Sequence, residues 1–276
     1  MTMSPDTAAP IRHEVEGPLS GHTFVVEEDG PAGGTPVVYL HGEFGAFADS
    51  PLAPTAREGA RVLAVHLPGW GESQGGDRFV SLGEMATAIW WLLDTMGVER
   101  AVVAGHGIGA TVGVEMSIQQ PARVLGLCLA APFGLFRTDD PGVDLFGTLP
   151  KELMGSLYEN ADGPVAAAHF PAPADAHERG LTSIRRVVVL GSASRYLFPI
   201  PDTGIADRLY RLRPVRVVIQ FGGDDGLVPP ALARDWQALL PEASVVVIDG
   251  ARHMHPYERP DFADAVGGLL AGAGPS

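Results

Sequence analysis

Residues Arg100 to Ala110 read RAVVAGHGIGA, and a helical pattern from Ala110 to Gln119 follows at once. The run from Arg100 to His106 is short, rich in valine and bounded by glycine, which predicts a buried strand. A chain that leaves a strand and enters a helix within a few residues turns sharply. Gly105 and Gly109 flank that turn, as a tight strand-to-helix turn needs, and Gly107 stands between them. A helix that follows a strand apolar on both faces carries the chain back toward a parallel neighbour, so this unit points to an open α/β sheet.

The same pattern extends outward in both directions. Pro36 to His41 (PVVYLH) and Arg61 to Leu67 (RVLAVHL) precede it. Val124 to Ala130 (VLGLCLA), Val215 to Phe221 (VRVVIQF) and Ser244 to Ile248 (SVVVI) follow it. All are short apolar runs of the kind found in central strands of a covered parallel sheet. Helical patterns lie between or beside them at Leu82 to Met96, Leu232 to Leu240 and Asp261 to Leu270. His13 to Glu28 predicts a hairpin of antiparallel edge strands that turns near Gly17 to Gly21. The rhythm breaks between Phe133 and Arg213, where Pro141, Pro150, Pro164, Pro171, Pro173, Pro199 and Pro201 interrupt it. The helical pieces expected there are Lys151 to Tyr158 and Leu181 to Tyr196, with Val187 to Leu190 as an alternative short strand. This stretch is too long for a loop and reads as an inserted lid. The expected organisation is a core of residues 1–132 and 214–276 with a lid of residues 133–213.

Composition narrows the function. With 33 acidic against 19 basic residues among 276, the formal net charge is −14, and Lys151 is the one lysine. Such a surface repels phosphate backbones and anionic lipid, so neither nucleic acid nor membrane is expected as a partner. A single cysteine, Cys128, excludes a disulfide framework and a Cys-rich zinc site. Met1 to Arg12 lacks the basic end and apolar stretch of a signal peptide, and a cytoplasmic location is the expectation. No metal or cofactor is expected. The partner is a small-molecule substrate or ligand, with a homo-oligomer left open.

Open α/β sheets place ligands beyond the C-terminal ends of their strands. Four segments stand there: His41-Gly42-Glu43-Phe44-Gly45, Gly105 to Gly109, Gly222 to Pro229 and Ala251 to Glu258. Gly105-His106-Gly107-Ile108-Gly109-Ala110 also fits a dinucleotide phosphate loop. Against that reading, two strands and a helix precede it, and the strand after it ends in Ala131-Pro132 with no acidic residue for a ribose.

The order of these segments resembles the α/β-hydrolase superfamily, whose chain runs oxyanion loop, nucleophile elbow, lid, acid, histidine. The resemblance covers about His13 to Leu270 and includes Leu67-Pro-Gly-Trp-Gly-Glu-Ser73 and the His253-to-Pro260 shape. It is nearest to the lidded branch with meta-cleavage C–C hydrolases, esterases and epoxide- or haloalkane-processing enzymes. It implies an α/β-hydrolase fold with a mostly parallel central sheet, flanking helices and an inserted lid. It also assigns His253 and Asp225 to the base and acid positions, with Asp224 as the alternative acid. The sequence departs from the pattern at the elbow's centre, where Gly107 stands for the usual Ser, Asp or Cys. No covalent intermediate can form on a glycine.

The expected activity is therefore non-covalent. His253 serves as base, and the N–H groups of Ile108 and of Glu43 or Phe44 stabilise an oxyanion. The substrate is a small, largely apolar carbonyl or ester-type compound, and the reaction is water-mediated hydrolysis or proton-transfer chemistry such as elimination, isomerisation or cyclisation. Glu43 has two readings: a carboxylate general base, or a solvated loop residue donating its N–H, with the second preferred. Phe133, Phe136, Phe146 and Tyr196 are candidates for lining an apolar pocket. His41, His106 and Ser73 read as structural, and His255 as a helix-start residue. The alternatives are a catalytically inactive binding protein and an engineered Ser-to-Gly variant. On the first reading, serine restored at position 107 is expected to create esterase activity.

Overall fold

The computed structural model describes residues 9–272. Eight strands of the described residues form one sheet: β1 (Ile11–Glu16), β2 (Thr23–Asp29), β3 (Pro36–Leu40), β4 (Arg61–Val65), β5 (Ala101–His106), β6 (Val124–Ala130), β7 (Val217–Gly222) and β8 (Ser244–Ile248). Their order across the sheet is β1-β2-β4-β3-β5-β6-β7-β8. β1 and β2 form the antiparallel hairpin, and β2 runs antiparallel to β4. Every other pairing is parallel. Among the described residues nine α-helices accompany the sheet: α1 (Ala53–Arg57), α2 (Leu82–Thr95), α3 (Gly107–Gln119), α4 (Pro150–Leu157), α5 (Pro164–His169), α6 (Ala176–Leu197), α7 (Leu232–Leu239), α8 (His255–Glu258) and α9 (Asp261–Ala271).

Side-chain alternation explains the layers. Val38, Leu40, Val103, Leu127 and Leu129 project to one face, where they meet the buried sides of α2 and α3. Val37, Tyr39, Val102, Ala104, Cys128 and Ala130 project to the other, under Phe262, Val266 and Leu269 of α9 and Ala56 of α1. A strand buried on both faces must be apolar throughout, and all six residues of β5 are buried. β8 differs from expectation. It is the sheet's edge, so Val246 and Val247 are exposed although the run is as apolar as a central strand.

Two helix boundaries also differ. α3 begins at Gly107 rather than Ala110, because the elbow glycines themselves enter the first turn. Val187 to Leu190 lies inside α6, which starts at Ala176 with the Asp175 carboxylate capping the Glu178 N–H at 2.9 Å. Residues 131–216 join β6 to β7 and carry α4, α5 and α6. The first eight residues of the Met1-to-Arg12 stretch lie outside the described residues. No helix of the described residues is long and apolar enough to cross a membrane.

Candidate active site

The site is assembled from four strand ends. β3 delivers His41, Gly42 and Glu43. His41 is buried, and its Nε2 accepts the Leu67 N–H at 2.9 Å while Nδ1–H donates to the Gly42 carbonyl at 2.8 Å. Burial pushes its pKa down to about 4, so the ring is a neutral brace that fixes one tautomer. Trp70 Nε1–H donates to the Glu43 carbonyl at 2.9 Å. These bonds hold the loop so that the Glu43 side chain points inward.

β5 delivers the elbow. Gly107 has φ +53°, in the left-handed region. Gly109 packs so close to β3 that a Cβ there would strike the Leu40 and His41 carbonyls. The Ile108 N–H belongs to the first turn of α3, whose N–H groups lack partners within the helix. His106 precedes the turn with Nε2 3.0 Å from the His253 carbonyl, and burial pushes its pKa down to about 3.

The loop after β7 supplies Asp225 and the loop after β8 supplies His253. Asp225 Oδ1 accepts the N–H groups of Leu227 and Val228 at 2.8 and 2.9 Å, and Oδ2 lies 3.0 Å from His253 Nδ1. Asp224 is exposed, and Asp225 is the one of the two whose carboxylate meets His253. His255 starts α8 and is buried, with Nδ1 donating to the Arg252 carbonyl at 3.1 Å.

Glu43 is the correction. The sequence reading preferred a solvated loop residue, but the side chain is fully buried, with Oε1 2.9 Å from His253 Nε2. A Cβ built on Gly107 would run into Glu43 Oε2. The carboxylate thus fills the space that a larger residue at the elbow would need. The sequence signal was available: a Glu directly after His41-Gly42 faces the elbow if it points inward, but spacing alone does not tell which way it points. Burial by itself would raise the Glu43 pKa, yet the positive charge of His253 beside it brings it to about 2. Burial by itself would lower His253, yet Asp225 and Glu43 together push it up to about 10. At neutral pH an imidazolium lies between two carboxylates.

Three of the four aromatic candidates share one place. Phe133, Phe136 and Phe146 line a cavity of about 280 Å³ with Val143, Leu197 and Leu227. Phe133 is its link to the site, because its ring centroid is 6.2 Å from that of His253. Ala131 adopts φ +45° as the chain leaves β6, and Thr111 Oγ1–H donates to the Phe133 carbonyl at 3.0 Å. Tyr196 stands apart: its hydroxyl donates to the Phe79 carbonyl at 3.1 Å and its ring stacks near Trp70. Ser73 is structural, accepting the Val25 N–H at 2.8 Å.

A polar cluster escaped the sequence reading. Asp49 Oδ1 lies 2.8 Å from His169 Nε2, and His169 Nδ1 lies 2.7 Å from the Tyr158 hydroxyl. Phe47 stacks on the His169 ring at 3.8 Å. These residues come from three separated segments and carry no common motif.

The alpha/beta hydrolase family model matches residues 37–265. The dihydrolipoyllysine-residue acetyltransferase component of the acetoin cleaving system of Pseudomonas putida is 31% identical over 240 residues, 84% of this chain and 62% of that protein. The chain therefore spans about three fifths of that relative's length. A 2-hydroxy-6-oxononadienedioate/2-hydroxy-6-oxononatrienedioate hydrolase 2 of Pseudomonas putida is 32% identical over 252 residues, 82% of this chain and 84% of that one. Among solved structures, a bacterial membrane phospholipase A superposes with a TM-score of 0.76 at 20% identity, covering 97% of this chain and 88% of that one. That last likeness is one of fold.

Proposed function

The chain belongs to the alpha/beta hydrolase family, and we propose that it is an enzyme acting on a small, largely apolar carbonyl or ester-type substrate with no nucleophile at its elbow. The observation that carries this reading is the buried Asp225–His253 pair set beside a side-chain-free Gly107. The elbow retains its backbone form, and the first-turn N–H of Ile108 faces outward from α3 with that of Phe44 as its proposed companion. Residues 133–213 serve as the lid, and the cavity beneath Phe133 and Phe146 takes the apolar part of the substrate. The similarity to a hydrolase named for an oxo-dienedioate supports a carbonyl substrate.

His253 rests as an imidazolium, so its first act is to give a proton to the substrate's oxygen rather than to take one. Backbone N–H groups hold the developing negative charge, one such donor being worth about 10²–10³ in rate. Loss of a nucleophile still leaves roughly 10³–10⁴-fold acceleration from these donors and from binding. A binding protein is the second reading, and one observation favours it: Glu43 and His253 are sealed from solvent.

The test is turnover of aryl esters and vinylogous diketones by wild type, His253→Ala and Asp225→Asn. His253→Ala is expected to abolish turnover while ligand affinity stays within about tenfold, because the proton is moved mainly in the transition state. Asp225→Asn is expected to cost less, but still orders of magnitude. Unchanged rates in both variants overturn the enzyme reading.

A further inference from the structure

We infer that Glu43 is the reacting carboxylate of this site: its Oε2 takes a proton from the carbon next to the substrate's carbonyl while His253 Nε2–H gives one to the carbonyl oxygen. The inference rests on the functional reading above and narrows it to a 1,3-proton shift, the interconversion of a ketone with its enol or with a conjugated isomer.

The first observation is an unpaired acceptor. Both Glu43 oxygens and His253 Nε2 are buried and make no hydrogen bond of good geometry among the described residues; Oε1 lies 2.9 Å from Nε2 and Oε2 faces no donor. A buried carboxylate oxygen left without a partner is destabilising, and each such group in a native structure calls for an explanation. A purely structural ion pair would turn both oxygens toward donors. Here one oxygen meets His253 and the other lies over the Gly107 backbone, in the space a side chain at that elbow position would fill.

The second observation is the contact between the two groups. A carbonyl oxygen and its neighbouring carbon can reach a donor and an acceptor held side by side, and Oε1 is 2.9 Å from Nε2. In the step, the C–H bond breaks and its proton joins Glu43 Oε2. The electron pair forms a C=C bond, the carbonyl π pair moves to oxygen, and that oxygen takes the Nε2 proton. The product is the enol, with Glu43 neutral and His253 neutral. Transfer of the proton from Glu43 back to His253 across their direct contact restores the resting ion pair. Over one turnover the protein gains and loses no net proton, and solvent deuterium enters when the enol leaves the site, exchanges its hydroxyl and returns to the ketone.

The charge states fit this cycle, since both partners are ionised at neutral pH. Ionised Glu43 accepts and protonated His253 donates, each in the required form. A covalent role for Glu43 is the rival, because a carboxylate can also attack carbon.

The experiment is proton–deuterium exchange at the carbon beside the carbonyl of phenylacetone in D₂O, followed by NMR. Wild type is expected to exchange faster than buffer. Glu43→Gln and His253→Gln are each expected to lose at least about 10²-fold, the usual scale for a positioned acid or base. Glu43→Asp, which keeps a carboxylate on a shorter stem, is expected to retain part of the rate and covers the case in which Glu43→Gln does not fold. No exchange by wild type overturns the inference, whatever the esters show. Full exchange by Glu43→Gln with loss in His253→Gln also overturns it, yet leaves the His253–Asp225 reading standing. ¹⁸O from labelled water found in the Glu43 peptide after turnover identifies a covalent ester and overturns it as well.

Discussion

Glu43 Oε1 and Asp225 Oδ2 approach opposite edges of one buried imidazole, at 2.9 Å from Nε2 and 3.0 Å from Nδ1 of His253. The carboxylate that follows the His41-Gly42 pair therefore stands where a side chain at position 107 would go. This relationship changes what a restored serine does. Gly107→Ser alone is expected to show no gain in esterase activity. Its Cβ meets Glu43 Oε2, and a non-glycine residue in a left-handed conformation costs about 1–2 kcal/mol. The pair Gly107→Ser with Glu43→Ala clears the space and is expected to hydrolyse p-nitrophenyl acetate faster than either single variant. Equal rates for the single and double variants would mean that Glu43 does not obstruct the elbow.

Stability should depend on pH through the same ion pair. His253 rises from 6.5 to about 10 in the folded state, so its contribution is complete below pH 6.5 and is lost as pH climbs toward 10. Glu43 falls from 4.5 to about 2, so its contribution is complete above pH 4.5 and is lost as pH drops toward 2. Both are complete between pH 4.5 and 6.5. Urea midpoints for wild type should thus fall from pH 6 to pH 9. Glu43→Gln removes one of the two carboxylates that hold the imidazolium and should flatten that decline. A wild-type midpoint that does not fall by pH 9 would show His253 to be neutral well below it.

The Glu115–Arg208 pair makes a separate prediction about the attachment of the β6–β7 segment. The Glu115 carboxylate on α3 is buried, and both its oxygens accept from Arg208 at 2.6 Å. Arg208→Ala strands a buried charge, which costs 3–5 kcal/mol for a fully enclosed pair. Arg208 is itself partly exposed, and solvent screening brings the expectation to about 2 kcal/mol. Glu115→Gln in the same background should recover part of the loss, because a neutral amide is cheaper to leave unpaired. Chemical denaturation of the single and double variants measures both.

The sequence carried the core almost whole because its signals there are local. Val124 to Ala130 and Ser244 to Ile248 are strands with the expected ends. The turn at Gly107 follows from its place between a strand and a helix, whereas the pairing of Asp225 with His253 was implied by the family resemblance. Three features were not legible, for physical reasons. The exposure of β8 depends on its being last in the sheet, which apolar content does not encode. The inward turn of Glu43 depends on Trp70 and His41 holding its loop from distant segments. Tyr196 was grouped with the phenylalanines by residue type, whereas the phase of α6 sets its hydroxyl against Phe79 instead.

The last prediction concerns how residues 133–213 are fastened. α6 is weakly packed from its start to Val188, where Ile184, Val187 and Val188 are exposed beside Arg179 and Arg185. Core arginines are better protected: Arg123 donates to the Glu99 and Val98 carbonyls at 2.7 and 2.8 Å and lies over Trp90. Trypsin should therefore cut first between Phe133 and Arg213, at the α6 arginines, rather than between Arg61 and Gly126. One tie holding this segment to the core is the His169–Asp49 bond at 2.8 Å, between α5 and the loop that follows Glu43. Burial lowers the His169 pKa, with Asp49 opposing, so the neutral ring donates to Asp49 through Nε2–H and accepts the Tyr158 hydroxyl at Nδ1. Asp49→Ala removes one hydrogen bond whose acceptor is half exposed, a loss of about 1 kcal/mol. When cleavage follows the population of the opened form, that loss corresponds to roughly fivefold faster cutting. The measurement is the initial rate of trypsin nicking, with fragments located by mass spectrometry. A first cut inside the core would refute the weaker packing of this segment. An unchanged rate in Asp49→Ala would show that the ties at Met254–Leu157 and Ser192–Gly69 hold it without the histidine.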